Sequence, residues 1–138
     1  MSDGLQIRSG CVISGGAQYR GKQGLDYRPG VSAENVGSTG LWVGTVEMPP
    51  GARTVAHVHE NHETGIYIVS GDTVDLYSGE NLEVHEICRP GDYTYIGPGV
   101  PHVAVNRSQT TAMAVIARTD PSEQESVLLL PDLESRVP

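Results

Sequence analysis

Phenylalanine is absent from this chain of 138 residues, and the remaining aromatics are six tyrosines and a single tryptophan. A core built from these residues has to be mainly aliphatic. No apolar run approaches the roughly 20 residues of a membrane span; Val127-Leu128-Leu129-Leu130 is the longest candidate. Basic residues are scarce, 9 against 17 acidic, for a net charge of −8. Such a chain has little electrostatic reason to hold DNA or RNA, and it lacks the polybasic run that anionic membranes attract. Much of the acidic excess lies from Asp120 onward. Cysteine is limited to Cys11 and Cys88, without a CxxC pair, so both are expected to be buried thiols rather than a disulfide. The start, Met1-Ser2-Asp3-Gly4, has no basic segment followed by an apolar one, and a cytoplasmic location is expected. A sustained helical period is also missing.

Glycine (17) and proline (9) are abundant, so turns are many. The chain is long enough for one domain with a core of its own. Residues 1–38 are glycine-rich and weakly patterned, and read as an extended N-terminal segment. From Gly40 short β-rich runs follow at 40–48, 53–59, 63–70, 72–78, 82–88, 92–96, 101–106 and 111–118. Breaks such as Pro49-Pro50-Gly51, Ser70-Gly71-Asp72 and Arg89-Pro90-Gly91-Asp92 bound them. Short strands joined by tight turns predict an all-β sandwich or closed barrel over 39–120. Residues 121–138 form a tail expected to pack on it, with a helical turn at Asp120-Pro121-Ser122 and one more strand over 126–130. A small barrel has open sheet edges that need cover. The N-terminal segment is therefore expected to cross to a second copy and form a homodimer.

Three of the five histidines fall within six residues, His57, His59 and His62, and a fourth, His102, follows Pro101. In a strand residues i and i+2 share a face, so His57 and His59 project together. Two imidazoles on one strand inside a small barrel make half of a metal site. Gly51, His57, His59 and Gly71 resemble the first signature of the cupin family. Gly91, Gly99, His102 and Asn106 resemble the second, with Gly97 where that signature has proline. The resemblance implies a double-stranded β-helix, or jelly-roll barrel, with one divalent transition metal (iron, zinc, nickel or manganese) held inside by three histidines and a carboxylate. Counting back from Gly71 places the carboxylate position on Thr64; counting forward from His59 places it on Glu63. Alternation in the register set by Gly71 turns His62, Thr64, Ile66 and Ile68 inward and Glu63, Gly65, Tyr67 and Val69 outward. The ligand set read here is His57, His59, His62 and His102, with Glu63 as the alternative third ligand.

Glu63, Arg53, Tyr93 and Tyr95 are candidates for catalytic roles. Arg53 is in register with the histidine pair and can meet a carboxylate, and a tyrosine hydroxyl near a metal can move a proton. Trp42 reads as core, His85 as solvent-facing and Asn106 as a turn-fixing side chain. The expected function is that of a small-molecule metalloenzyme, with resemblance to single-domain cupins pointing to a dioxygenase, an isomerase, or a lyase or cyclase of polyketide-cyclase type. The competing reading is a non-catalytic, metal-dependent module that binds a small molecule or sugar. Neither reading calls for a nucleic-acid or membrane partner.

Overall fold

The structure is a computed structural model and describes residues 10–123 and 127–138. Its strands are β1 (Tyr19–Arg20), β2 (Asp26–Val31), β3 (Trp42–Met48), β4 (His57–His59), β5 (Thr64–Ser70) and β6 (Val74–Ser78), followed by β7 (Val84–Cys88), β8 (Tyr93–Ile96), β9 (His102–Val105), β10 (Ala112–Arg118) and β11 (Val127–Leu129). They form two antiparallel sheets, one in the order β1-β2-β3-β10-β5-β8 and the other β11-β4-β9-β6-β7. The two sheets face one another as a jelly roll.

Period-2 alternation decides what goes between them. On β3, Trp42, Gly44, Val46 and Met48 are buried. On β10, Ala112, Ala114, Ile116 and Arg118 are buried. With Leu25, Tyr27, Ile68, Val74 and Cys88, the apolar members of these rows form one core cluster. Gly44 has a packing reason: a Cβ there would run into the Arg28 carbonyl and the Trp42 ring. Gly71 has both a packing and a backbone reason. Its φ is +119°, and a Cβ would lie 2.8 Å from the Ala112 Cα.

The second sheet is covered on its outer face as well. Val103 and Val105 of β9 pack with Ala56, Tyr77, Leu82 and Val137 in a separate cluster flanked by Leu130 and Leu133. The tail reaches that position through β11, which pairs with β4, and then a 3-10 helix over Pro131–Arg136. Glu134 fastens it, accepting from the Ala56 N–H and from Arg53 Nη2, each at 2.7 Å.

Several local expectations change. The 53–59 run is a strand only over His57–His59, preceded by an isolated bridge between Arg53 and Val105. Within 1–38, β1 and β2 fold onto β3 of the same chain, and a four-residue helix α1 (Ala33–Val36) follows. Ser32 and Asn35 cap that helix reciprocally, a motif too short to show as a period. Residues 1–9 of the N-terminal segment and 126 of the last predicted strand lie outside the described residues. Asp120-Pro121-Ser122 forms no helix; Asp120 Oδ1 accepts the Ser122 N–H at 3.0 Å, satisfying that backbone locally. Cys11 is exposed, contrary to the expectation of two buried thiols, because its glycine-rich segment offers it no core; Cys88 is buried. No helix among the described residues is long and apolar enough to cross a membrane.

Candidate metal centre

Strand β4 directs His57 and His59 to the interior, and its neighbour β9 places His102 directly opposite His57. The ring centroids lie 4.2 Å apart for His57–His102, 5.1 Å for His57–His59 and 5.0 Å for His59–His102. One ring nitrogen of each lies within 4.8 Å of the others, so the three imidazoles can hold one metal ion. All three are buried, at 2%, 5% and 5% relative exposure.

The hydrogen bonds assign the tautomers. His57 Nδ1–H donates to the Val55 carbonyl at 2.6 Å, and His102 Nδ1–H to the Val100 carbonyl at 2.9 Å. A backbone carbonyl only accepts, so each proton sits on Nδ1 and each Nε2 carries its lone pair. Burial, with His57 and then His59 nearby, holds the His102 pKa well below the ordinary histidine value. The neutral ligand form is therefore favoured there. The donor set fits a transition metal: neutral imidazoles whose other nitrogen is anchored, as metal-bound histidines have it.

His62 is buried but does not join this group. Its Nε2 lies 3.1 Å from His59 Nδ1, and its Nδ1 lies 3.7 Å from Asp120 Oδ2. A carboxylate facing Nδ1 favours the proton there, so His62 Nε2 accepts from His59 Nδ1–H. Asp120, His62 and His59 then form a line that orients the third ligand. Of the four histidines expected to act together, three gather, and His62 lies behind one of them. Two residues, Glu60 and Asn61, separate His62 from His59, and the turn carries the ring behind His59 instead of beside it.

The other candidates separate clearly. Glu63, the alternative third ligand, is exposed on the outer face, where its Oε1 accepts from the Tyr95 hydroxyl at 2.9 Å. That bond, to the phenol form, raises the Tyr95 pKa. Tyr93 and Tyr95 are 80% and 68% exposed, because the parity of β8 turns Thr94 and Ile96 inward instead. Arg53 does not line the cavity; it pairs with Glu134 and donates to the Val137 carbonyl at 3.2 Å. None of these four is placed for chemistry at the triad. His85 stacks on Tyr77 and bonds Asp75 at 2.7 Å on the outside of the second sheet. Asn106 is fully buried and donates to the Met48 and Thr110 carbonyls, holding a turn.

The triad opens on a cavity of about 80 Å³. Aliphatic side chains of the first sheet make most of its wall, among them Val46, Ile66, Ile68 and Ile116. Thr64 stands at the inward position the Gly71 register gave it. Arg118 also lines the cavity, 3% exposed, with its guanidinium 3.9 Å over the Trp42 ring. Arg118 belongs to no motif, and its signal in the sequence is the parity it shares with Ala112, Ala114 and Ile116.

Residues 44–117 match the family described as the cupin domain. The chain is a cupin. No curated protein matches it at a significant level. Among solved structures, this cupin resembles a Klebsiella pneumoniae protein with a double-stranded β-helix domain. They share 16% identity and a TM-score of 0.63, over 80% of this chain and 88% of the other. It resembles a recombinant oxalate oxidase at 14% identity and TM-score 0.68, over 93% and 66% of the two chains. A DMSP lyase from Ruegeria pomeroyi shares 23% identity and a TM-score of 0.56, over 67% and 44%. The cupin thus spans less than half of the lyase chain. At these identities the likeness is one of fold.

Proposed function

We propose that this cupin is a metal-dependent enzyme acting on a small organic molecule, with one divalent transition metal held by His57, His59 and His102. The observation that carries the reading is the triad itself. Three buried imidazoles have each Nδ1 tied to a partner, and one ring nitrogen of each lies within 4.8 Å of the others at a cavity wall. Three protein ligands leave positions open for water, dioxygen or substrate, unlike a closed structural site. When bound there, the metal supplies Lewis acidity toward a carbonyl or water, or, as iron, a place for dioxygen. The chain's own residues hold it in a neutral ligand field, orient His59 through His62, and keep bulk water out with aliphatic walls. The oxalate oxidase and DMSP lyase that share the fold are consistent with an enzymatic use of such a barrel.

The test is elemental mass spectrometry on protein purified without a histidine tag, for the wild type, His57→Ala and His102→Ala. Near one metal per chain, lost in both variants, is the expected result. Iron would direct assays to oxygen consumption; zinc, nickel or manganese would direct them to isomerase, lyase or cyclase chemistry. A chain that takes up no metal when titrated with any of these ions would overturn the proposal. A loaded chain that only binds small molecules, without turnover, would establish the binding module instead.

A further inference from the structure

We infer that Glu134 tunes the metal centre from the outer face of the second sheet, as a positioning residue that acts on the ligand His57 through the one peptide group joining Val55 to Ala56. This rests on the metal reading above. A trans peptide is planar, and its N–H and C=O point opposite ways. The N–H of this group belongs to Ala56 and donates to Glu134 Oε2 at 2.7 Å. Its carbonyl belongs to Val55 and accepts from His57 Nδ1–H at 2.6 Å. Carboxylate, peptide and imidazole therefore stand in one hydrogen-bonded line, with the lone pair on His57 Nε2 at its end.

Three observations carry this. First, a carboxylate drawing on the N–H polarises the amide, and successive hydrogen bonds strengthen one another. The Val55 carbonyl becomes the better acceptor, and His57 the stronger electron donor toward a metal, as carboxylate partners make metal-bound histidines. Second, the triad contains its own comparison. His102 Nδ1–H also donates to a carbonyl two residues back, that of Val100, but at 2.9 Å. The nitrogen of that peptide group belongs to Pro101, which carries no hydrogen, so no carboxylate can act through it. The shorter of the two bonds is the one with a carboxylate behind it. Third, Glu134 is held in place. Its Oε1 accepts from Arg53 Nη2 at 2.7 Å, and Arg53 Nη1 donates to the Val137 carbonyl. The Leu130 N–H donates to the Ala56 carbonyl at 2.8 Å, and Leu129 is the strand partner of His57. Both peptide groups flanking Ala56 are thus bonded to the tail, one of them to a charge. The Glu134 side chain is 40% exposed. Water screens it, so its effect is smaller than that of a charged partner touching the ring.

Nuclear magnetic resonance of zinc-loaded protein with isotope-labelled histidine tests this, together with zinc affinity from competition with a chelator. Glu134→Gln keeps an oxygen for the Ala56 N–H and loses the charge. It is expected to move the His57 Nδ1–H resonance upfield, to leave that of His102 in place, and to weaken zinc about threefold. Glu134→Ala is expected to weaken zinc about tenfold, the low end for partners of metal-bound histidines. Leu82→Ala, which opens a cavity in the outer cluster, is the control for stability. It should lower the urea midpoint at least as far as Glu134→Ala does, and leave zinc affinity within about twofold. A His57 resonance that stays in place in Glu134→Gln overturns the inference, and so does equal movement at His102 or a Leu82→Ala protein as zinc-poor as Glu134→Ala. Zinc uptake by the wild type then leaves the metal reading standing. Failure of zinc, iron, nickel and manganese alike to bind sinks the metal reading, and this inference with it, even where the His57 resonance moves.

Discussion

Replacing His62 by alanine distinguishes a histidine that holds the metal from one that orients a ligand. The structure sets His62 Nε2 3.1 Å from His59 Nδ1, which leaves the other His59 nitrogen for a metal. Removing such a partner ordinarily weakens a metal site by roughly 10–100-fold, about 1.4 to 2.8 kcal/mol of binding free energy at 1.4 kcal/mol per tenfold. His57→Ala and His102→Ala remove a direct ligand from a set of three and should weaken binding far more. His62→Gln keeps a side-chain carbonyl that can accept from His59 Nδ1–H, and should recover most of the loss. Asp120→Asn should have a smaller effect, under about tenfold, because 3.7 Å is beyond hydrogen-bond range. Metal affinity would be read by competition with a chromophoric chelator, and folding checked by circular dichroism. A His62→Ala protein as metal-poor as the triad variants would restore the four-histidine site. One with unchanged affinity would show that the His62–His59 contact orients nothing.

Other expectations follow from single contacts. Gly71→Ala should destabilise the fold by about 2 kcal/mol or more, since it combines a positive φ with a close approach to Ala112; an unchanged urea midpoint would refute the packing account. Glu134→Ala should lower stability by about 1 kcal/mol, near the bottom of the range for losing partners of Ala56 and Arg53, because the ion pair is partly solvated; Glu134→Gln should recover part of it. The metal-free protein should lose stability as pH falls below 6.5. There the unfolded chain takes up a proton that native His102, its pKa depressed, resists, so the unfolded state binds more protons and acid favours it. Denaturation midpoints that rise on going from pH 8 to pH 5 would contradict this. Finally, Glu63→Ala, Tyr93→Ser and Tyr95→Ser should leave metal affinity within about twofold, because all three side chains face outward. A larger change in the chelator competition would place one of them nearer the site than the structure does.

The amino-acid sequence by itself determined the features that depend on period and on turn chemistry. Strand alternation is a local rule, so it put His57 and His59 on one face and Thr64, Ile66 and Ile68 on the cavity side. The same rule, applied to Ala112, Ala114 and Ile116, extends to Arg118. Glycine and proline breaks marked the ends of most strands because those residues act on their own backbone. Tertiary structure alone decided what meets across the chain. Arg53 looked ready for a substrate by its register with the histidines, yet it pairs with Glu134, 81 residues away. Tyr95 meets Glu63 on the outside because strand β8 pairs with β5 in a register that no local pattern specifies. His62 counted as a ligand by residue type and inward parity, but only the path of the turn shows its ring behind His59, with Asp120 beyond it. Trp42, Arg118 and Thr64 likewise form one row because β3, β10 and β5 lie side by side in one register. Local chemistry selects which face a side chain takes; the pairing of distant strands selects its partner, and at this site the partners set the chemistry.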